Sequence, residues 1–132
     1  MFSFFYNTCL MLLGLFAMPK FLLSWNKYKG TTLYRLGLKS PNLQLSSAPV
    51  IWIHAVSAGE TKAATALVAQ LQQTFPDAQI VISNTTRTGH MEAKKSLPQA
   101  KAHLFLPLDF SWIMRRLVKQ ISPSALFLVE SD

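Results

Sequence analysis

Four short runs rich in Val, Ile, Leu and Phe recur along the chain, with helix-period segments between them. They are VIWIHAV at 50–56, QIVIS at 79–83, AHLFL at 102–106 and SALFLVE at 124–130. The intervening segments predict helices over 60–75, about 88–97 and 109–120. In the first of these, Ala63, Ala64, Leu67, Val68, Leu71 and Phe75 fall on one helical face. Asp109 and Ser111 suit the N-cap of the third, and Pro76-Asp77 and Pro123 mark breaks. Apolar strands separated by helices predict a parallel sheet buried on both faces. The expected fold class is therefore α/β: a Rossmann-like parallel sheet with helices on both faces.

In such sheets, ligands bind beyond the carboxyl ends of the strands. Three segments are expected there: Ser57-Ala58-Gly59-Glu60, Asn84-Thr85-Thr86-Arg87-Thr88-Gly89 and Glu130-Ser131-Asp132. Gly59 suits a sharp turn and the close approach of a ligand. Glu60 has two readings. A carboxylate in the first turn stabilises a helix through its dipole, and a carboxylate at a strand's carboxyl end is a general base. Thr86, Arg87 and Thr88 suit a phosphate or a sugar, or an ordinary strand-to-helix loop with a threonine N-cap. Neither G-x-x-x-x-G-K nor G-x-G-x-x-G occurs, so no nucleotide cofactor is expected. Glu130 closes the last strand, either solvated or facing the crevice. A buried strand with no helix after it leads us to expect an incomplete polypeptide.

Charge and cysteine narrow the function classes. The chain has 132 residues and a net charge of +7. The first acidic residue is Glu60, and Lys20, Lys27, Lys29, Arg35 and Lys39 precede it. The first 59 residues thus carry +5 and the remainder +2. The basic character belongs to the N-terminal arm, and no nucleic-acid partner is expected. Cys9 is the single cysteine, so no internal disulfide forms, and His54, His90 and His103 show no metal-ligand spacing.

Residues 1–19 carry no charge. As a helix they span roughly 28 Å, marginal against a hydrocarbon core of about 30 Å. Trp25, Tyr28 and basic residues follow, the order expected at a membrane interface with this flank on the cytoplasmic side. Residues 1–25 are read as a membrane anchor, either a short span or a helix lying in the interface. A cleaved signal peptide and a buried core helix are the competing readings. Residues 26–48 are a basic flank and linker, and 49–132 form the globular domain.

The motifs at these positions resemble those of the bacterial 3-deoxy-D-manno-octulosonic acid (Kdo) transferases. H-A-V-S-A-G-E at 54–60 is similar to the family's H-x-x-S-V-G-E, with Ala58 in place of valine. S-N-T-T-R-T-G at 83–89 resembles T-x-T-x-T-G, with Asn84 and Arg87 as departures. L-P-L-D at 106–109, V-E-S-D at 129–132 and Y-R-L-G at 34–37 resemble further family segments in the same order.

The resemblance implies the N-terminal, acceptor-binding half of a GT-B glycosyltransferase, with the C-terminal donor domain absent. It implies inverting transfer of Kdo from CMP-Kdo to the lipid A precursor (lipid IVA), at the cytoplasmic face of an inner membrane with anionic lipids. No cofactor and no metal are implied. Glu60 is implied as general base. Ser57, Gly59, Thr86, Arg87, Thr88 and Glu130 are implied to bind the acceptor or shape the site. Two alternatives stand beside this reading. One is a non-catalytic, membrane-tethered binding module. The other is a small serine hydrolase using Ser57, because A-V-S-A-G resembles the G-x-S-x-G elbow.

Overall fold

The computed structural model describes residues 2–23 and 30–130. The chain divides into two compact units, one made of 1–40 and 107–117, the other of 41–106 and 118–132.

In the first unit, helix α1 (Phe2–Leu23) uses the few polar residues of its first two turns to hold the segment at 109–111. The Tyr6 hydroxyl donates to Asp109 Oδ2 at 2.5 Å. Ser3 Oγ donates to Ser111 Oγ at 3.0 Å. Asn7 Oδ1 accepts both the Ser111 N–H and its hydroxyl, each at 3.3 Å. This corrects the expected capping of helix α5 (Ser111–Ile121). Ser111 is already helical and Asp109 is bound to Tyr6. The orphan first-turn amide is satisfied by Asn7, more than a hundred residues away in sequence.

The apolar side chains of α1 stand in solvent, Phe16 at 86% and Leu13 at 65% exposure. The core-helix reading of the arm is therefore not met. No helix among the described residues is long and apolar enough to cross a membrane. The short-span reading is not met either: Ser3, Asn7 and Thr8 interrupt the start of α1, and Pro19 and Lys20 interrupt its end. Trp25 and Tyr28 lie outside the described residues.

A one-turn helix, α2 (Thr32–Arg35), follows. Its end explains the Y-R-L-G segment. Leu38 N–H donates to Leu33 O and Gly37 N–H to Tyr34 O, a Schellman closure. Gly37 has φ 68, and an added Cβ would lie 2.9 Å from Ile113, so both the backbone and the packing demand glycine.

The second unit is the α/β body. Strands β1 (Val50–Ala55), β2 (Gln79–Asn84), β3 (Ala102–Phe105) and β4 (Ala125–Val129) form one parallel sheet in the order β3-β2-β1-β4. Helices α3 (Ala58–Thr74) and α4 (Arg87–Ser96) pack on one face. Ile51, Ile53, Ile80 and Ile82 interlock there with Ala64, Val68, Ala93 and Leu97, all buried.

Two expectations are corrected here. The inward stripe of α3 is Thr61, Ala64 and Val68, while Ala63 and Phe75 face solvent. A polar residue enters the stripe because its hydroxyl is satisfied: Thr61 Oγ1 donates to Ser57 O at 2.7 Å. The last strand is not buried. Among the described residues β4 pairs only with β1, and Leu126 and Leu128 are 49% and 64% exposed. Its composition matches the central strands, but its position at the sheet edge decides its burial.

Candidate active site

β1 ends at Ala55, and the chain turns at once into α3. Ser57 is the N-cap, with φ −115 and ψ 174. Its Oγ accepts the Glu60 N–H at 3.4 Å. Glu60 replies through Oε2, which accepts the Val56 N–H at 2.5 Å and the Ser57 N–H at 3.3 Å. This reciprocal pair is a capping box, and it places Ala58 and Gly59 in the first helical turn. The helix therefore starts two residues before the apolar periodicity predicts. Among the described residues, Glu60 Oε1 accepts no hydrogen bond. The carboxylate is thus held by one oxygen and presents the other, so the capping and general-base readings coexist in one side chain.

The serine-hydrolase reading is corrected by the same geometry. Ser57 has ordinary extended backbone rather than a strained elbow, and its Oγ is spent on the cap. Among the described residues no histidine bonds to it.

The turn is anchored from below by β2. Asn84 is fully buried. Its Nδ2 donates to Ala55 O at 2.8 Å and to Thr61 Oγ1 at 2.9 Å. Thr61 passes the link on to Ser57 O. Asn84 thus belongs to the strand end and not to the crevice loop in which the sequence places it. Its Oδ1 is buried without a partner among the described residues.

The second loop is tied to the first through one carbonyl. Val56 O accepts the Thr86 N–H at 3.0 Å and the Thr86 hydroxyl at 2.9 Å. Thr86 is also the N-cap of α4, since its Oγ1 accepts the Gly89 N–H at 3.1 Å. Thr88 Oγ1 leans on Thr86 Oγ1 at 3.3 Å. Arg87 and Thr88 are exposed at the start of α4. Glu130 is exposed and directly follows Val129, which pairs with Ala55. The fold therefore brings Ser57, Gly59, Glu60, Thr86, Arg87, Thr88 and Glu130 to the same end of the sheet. Ser131 and Asp132 lie outside the described residues.

The two site glycines differ. A Cβ on Gly89 would sit 3.0 Å from the Ser57 carbonyl carbon, 3.0 Å from Val56 O and 3.0 Å from Thr86 Oγ1. A Cβ on Gly59 would meet only Ser57 Oγ, at 3.9 Å. Gly59 is helical, and the sharp turn does not require it. We expect Gly89→Ala to cost about 1–3 kcal/mol by forcing the two loops apart. Gly59→Ala should leave stability unchanged or raise it by up to about 1 kcal/mol. Thermal unfolding of the two variants checks the contrast.

Two histidines lie close to this end. His54 Nδ1 is 2.9 Å from Ser83 Oγ and 3.1 Å from Ser83 O. Burial lowers its pKa, opposed by the Ser83 bond and by the charge of Glu60. His90 follows Gly89, stacks on Phe105 with ring centroids 4.0 Å apart, and has its pKa lowered to about 4. Burial is the main cause, with Lys94 and His103 adding to it. The unfolded chain binds this proton near pH 6.5 and the folded one near 4. Stability should therefore fall as pH drops through that window, and His90→Phe should flatten the slope in acid titrations followed by circular dichroism. Among the described residues no group of three or more His, Cys, Asp or Glu could hold a metal ion.

Sequence reasoning left Thr61 without a role and Asn84 as no more than a variant loop position. The available signal was a polar residue closing the apolar run QIVIS, one position after Ser83. Nothing local pointed to Thr61 as its partner.

Comparison with known proteins places these motifs. Residues 31–132 match the family model of 3-deoxy-D-manno-octulosonic-acid transferase. The 3-deoxy-D-manno-octulosonic acid transferase of Chlamydia pneumoniae is 30% identical over 135 residues, covering 99% of this chain and 31% of the relative. That of Chlamydophila psittaci is 31% identical, covering 98% of the chain and 31% of the relative. That of Haemophilus influenzae is 37% identical over 82 residues, covering 62% of the chain and 19% of the relative. The chain thus spans about a third of the length of the first two relatives. No solved structure matches it.

Proposed function

The chain belongs to the 3-deoxy-D-manno-octulosonic-acid transferase family, and on that premise we propose that it supplies the acceptor-binding half of an inverting GT-B glycosyltransferase. The donor is CMP-Kdo and the acceptor is the lipid A precursor, lipid IVA. The observation that carries this reading is Glu60. Its carboxylate is pinned at the carboxyl end of β1 by the Val56 and Ser57 amides, with one oxygen left to accept.

Glu60 takes the proton from the 6′-hydroxyl of the glucosamine disaccharide. The oxygen's electron pair forms the new bond to the anomeric carbon of Kdo. The bond from that carbon to the CMP phosphate breaks, and CMP leaves with its electrons. The pinning supports this role because a fixed base loses no rotamer freedom when the hydroxyl arrives. Thr86, Arg87 and Thr88 wall the crevice, and Glu130 binds or orients the acceptor from the neighbouring strand. The basic arm and the exposed apolar side chains of α1 suit a helix lying in the cytoplasmic surface of an anionic inner membrane.

Sedimentation with phosphatidylethanolamine and phosphatidylglycerol vesicles tests the acceptor assignment. Retention of the chain should rise when lipid IVA is included, and equilibrium dialysis should show no binding of CMP-Kdo. Saturable CMP-Kdo binding without any response to lipid IVA would reverse the assignment. Lipid IVA binding that never leads to transfer in the full-length context would favour the non-catalytic module.

A further inference from the structure

The unit made of 1–40 and 107–117 gathers the chain's positive charge and its exposed apolar surface. It holds seven basic residues and one acid, Asp109, and so carries +6 of the chain's +7. That one carboxylate is bonded to Tyr6. Helix α1 is held by its first turns alone. Ser3, Asn7 and Leu10 are half-buried, whereas every residue from Met11 to Lys20 is exposed. A helix that is apolar on all sides needs something to cover it. The start of α5 belongs to the same unit and is tied to α1 by the bonds of Ser3 and Asn7 to Ser111. Burial along this part of α5 follows the helical period. Ile113 and Leu117 are buried, and the bare Gly37 leaves room for Ile113. The other face presents Trp112, 54% exposed, with Arg115 and Arg116 exposed three and four residues on.

We infer that Trp112, Arg115 and Arg116 form a second membrane-contact surface, which binds the headgroups of anionic phospholipids while α1 buries its apolar side chains. The inference rests on the membrane seat proposed above for α1 and adds a contact that the N-terminal arm does not contain. The chemistry of the three residues fits one partner. A guanidinium pairs with phosphate through two parallel hydrogen bonds, and its apolar stem can lie along the acyl boundary. An indole sits at headgroup level, with its ring in apolar surroundings and its N–H in a polar one. The bonds to Ser111 make the two contacts act together. Once α1 is in the membrane, the α5 face is held near the headgroups, so the second contact forms without a second encounter.

The test uses the full chain with vesicles of phosphatidylethanolamine and phosphatidylglycerol, and with phosphatidylcholine vesicles beside them. Lipids brominated near the headgroup end of the acyl chains quench indole fluorescence on contact. The difference between Trp25→Phe and Trp25→Phe/Trp112→Phe isolates Trp112, because Trp52 is buried and contributes a constant background. We expect Trp112 to be quenched on the anionic vesicles. We expect Arg115→Gln/Arg116→Gln, with unchanged circular dichroism, to weaken retention on those vesicles about 30-fold, since each basic residue at an anionic surface is worth about 1 kcal/mol. Retention on phosphatidylcholine should not change. An unquenched Trp112 on vesicles that retain the chain overturns the inference, as does equal retention of wild type and the double variant; the membrane seat of α1 then survives. A Trp112 already shielded from acrylamide before vesicles are added would assign this face to a second copy of the chain and overturns the inference too. If the chain is retained by no vesicle, both readings fall.

Discussion

If Glu60 is the general base proposed above, we expect Glu60→Gln to lower Kdo transfer in the full-length context by about 100- to 10,000-fold while leaving the fold in place. The factor is that of a positioned general base. The fold survives because a capping box accepts glutamine as well as glutamate at the third helical position. Its amide oxygen takes the Val56 and Ser57 N–H groups that Oε2 takes in the native chain. Glutamine cannot accept the proton of a sugar hydroxyl, so the capping role and the proposed base role of Glu60 separate in this variant. Glu60→Ala loses both and should also unfold at a lower temperature. The check is initial transfer rates for the two variants in the full-length context, set against their thermal unfolding. Equal rates for wild type and Glu60→Gln would return Glu60 to a helix-terminus role.

Asn84→Ala should be the most destabilising single change near the site, at about 2–4 kcal/mol. It leaves Ala55 O and Thr61 Oγ1 without their donor and opens a cavity at a fully buried position. The damage should spread along a defined line. Thr61 loses its tie to β2, and Ser57 O, which accepts both the N–H and the hydroxyl of Thr61, is then held by a residue no longer braced from below. Hydrogen exchange of the Glu60 and Thr61 amides should therefore quicken more than exchange in β3. Thr61→Val, which keeps the shape and removes the hydroxyl, should quicken the same amides at smaller cost. Uniform quickening across the sheet would show that Asn84 supports the core in general and not the turn.

The sheet and its helices were largely legible. Runs such as VIWIHA and QIVIS have no other stable home than a buried parallel sheet, and the structure places β1 and β2 within one residue of their expected ends. What escaped depends on neighbours distant in sequence. The apolar run at 124–130 carries no mark of being an edge, because edge status follows from strand order. Asn7 capping Ser111 could not be read from either segment alone. The N-terminal run reads as a candidate span by its lack of charge, yet its polar second turn serves a hydrogen-bond cluster. At the site, the segment at 57–60 lies at the carboxyl end of β1 as expected, but its turn does not require Gly59. The close approach belongs to Gly89, and only the packing of α4 against the first loop reveals it.

The central claim is that this chain is the acceptor-binding half of a Kdo transferase. The most direct measurement is mass-spectrometric detection of Kdo added to lipid IVA from CMP-Kdo. It compares the chain alone, a C-terminal domain from a full-length relative alone, and the two together, each shown to be folded. The account predicts product only when both are present. Transfer by the C-terminal domain alone, or none from the folded pair, would contradict it.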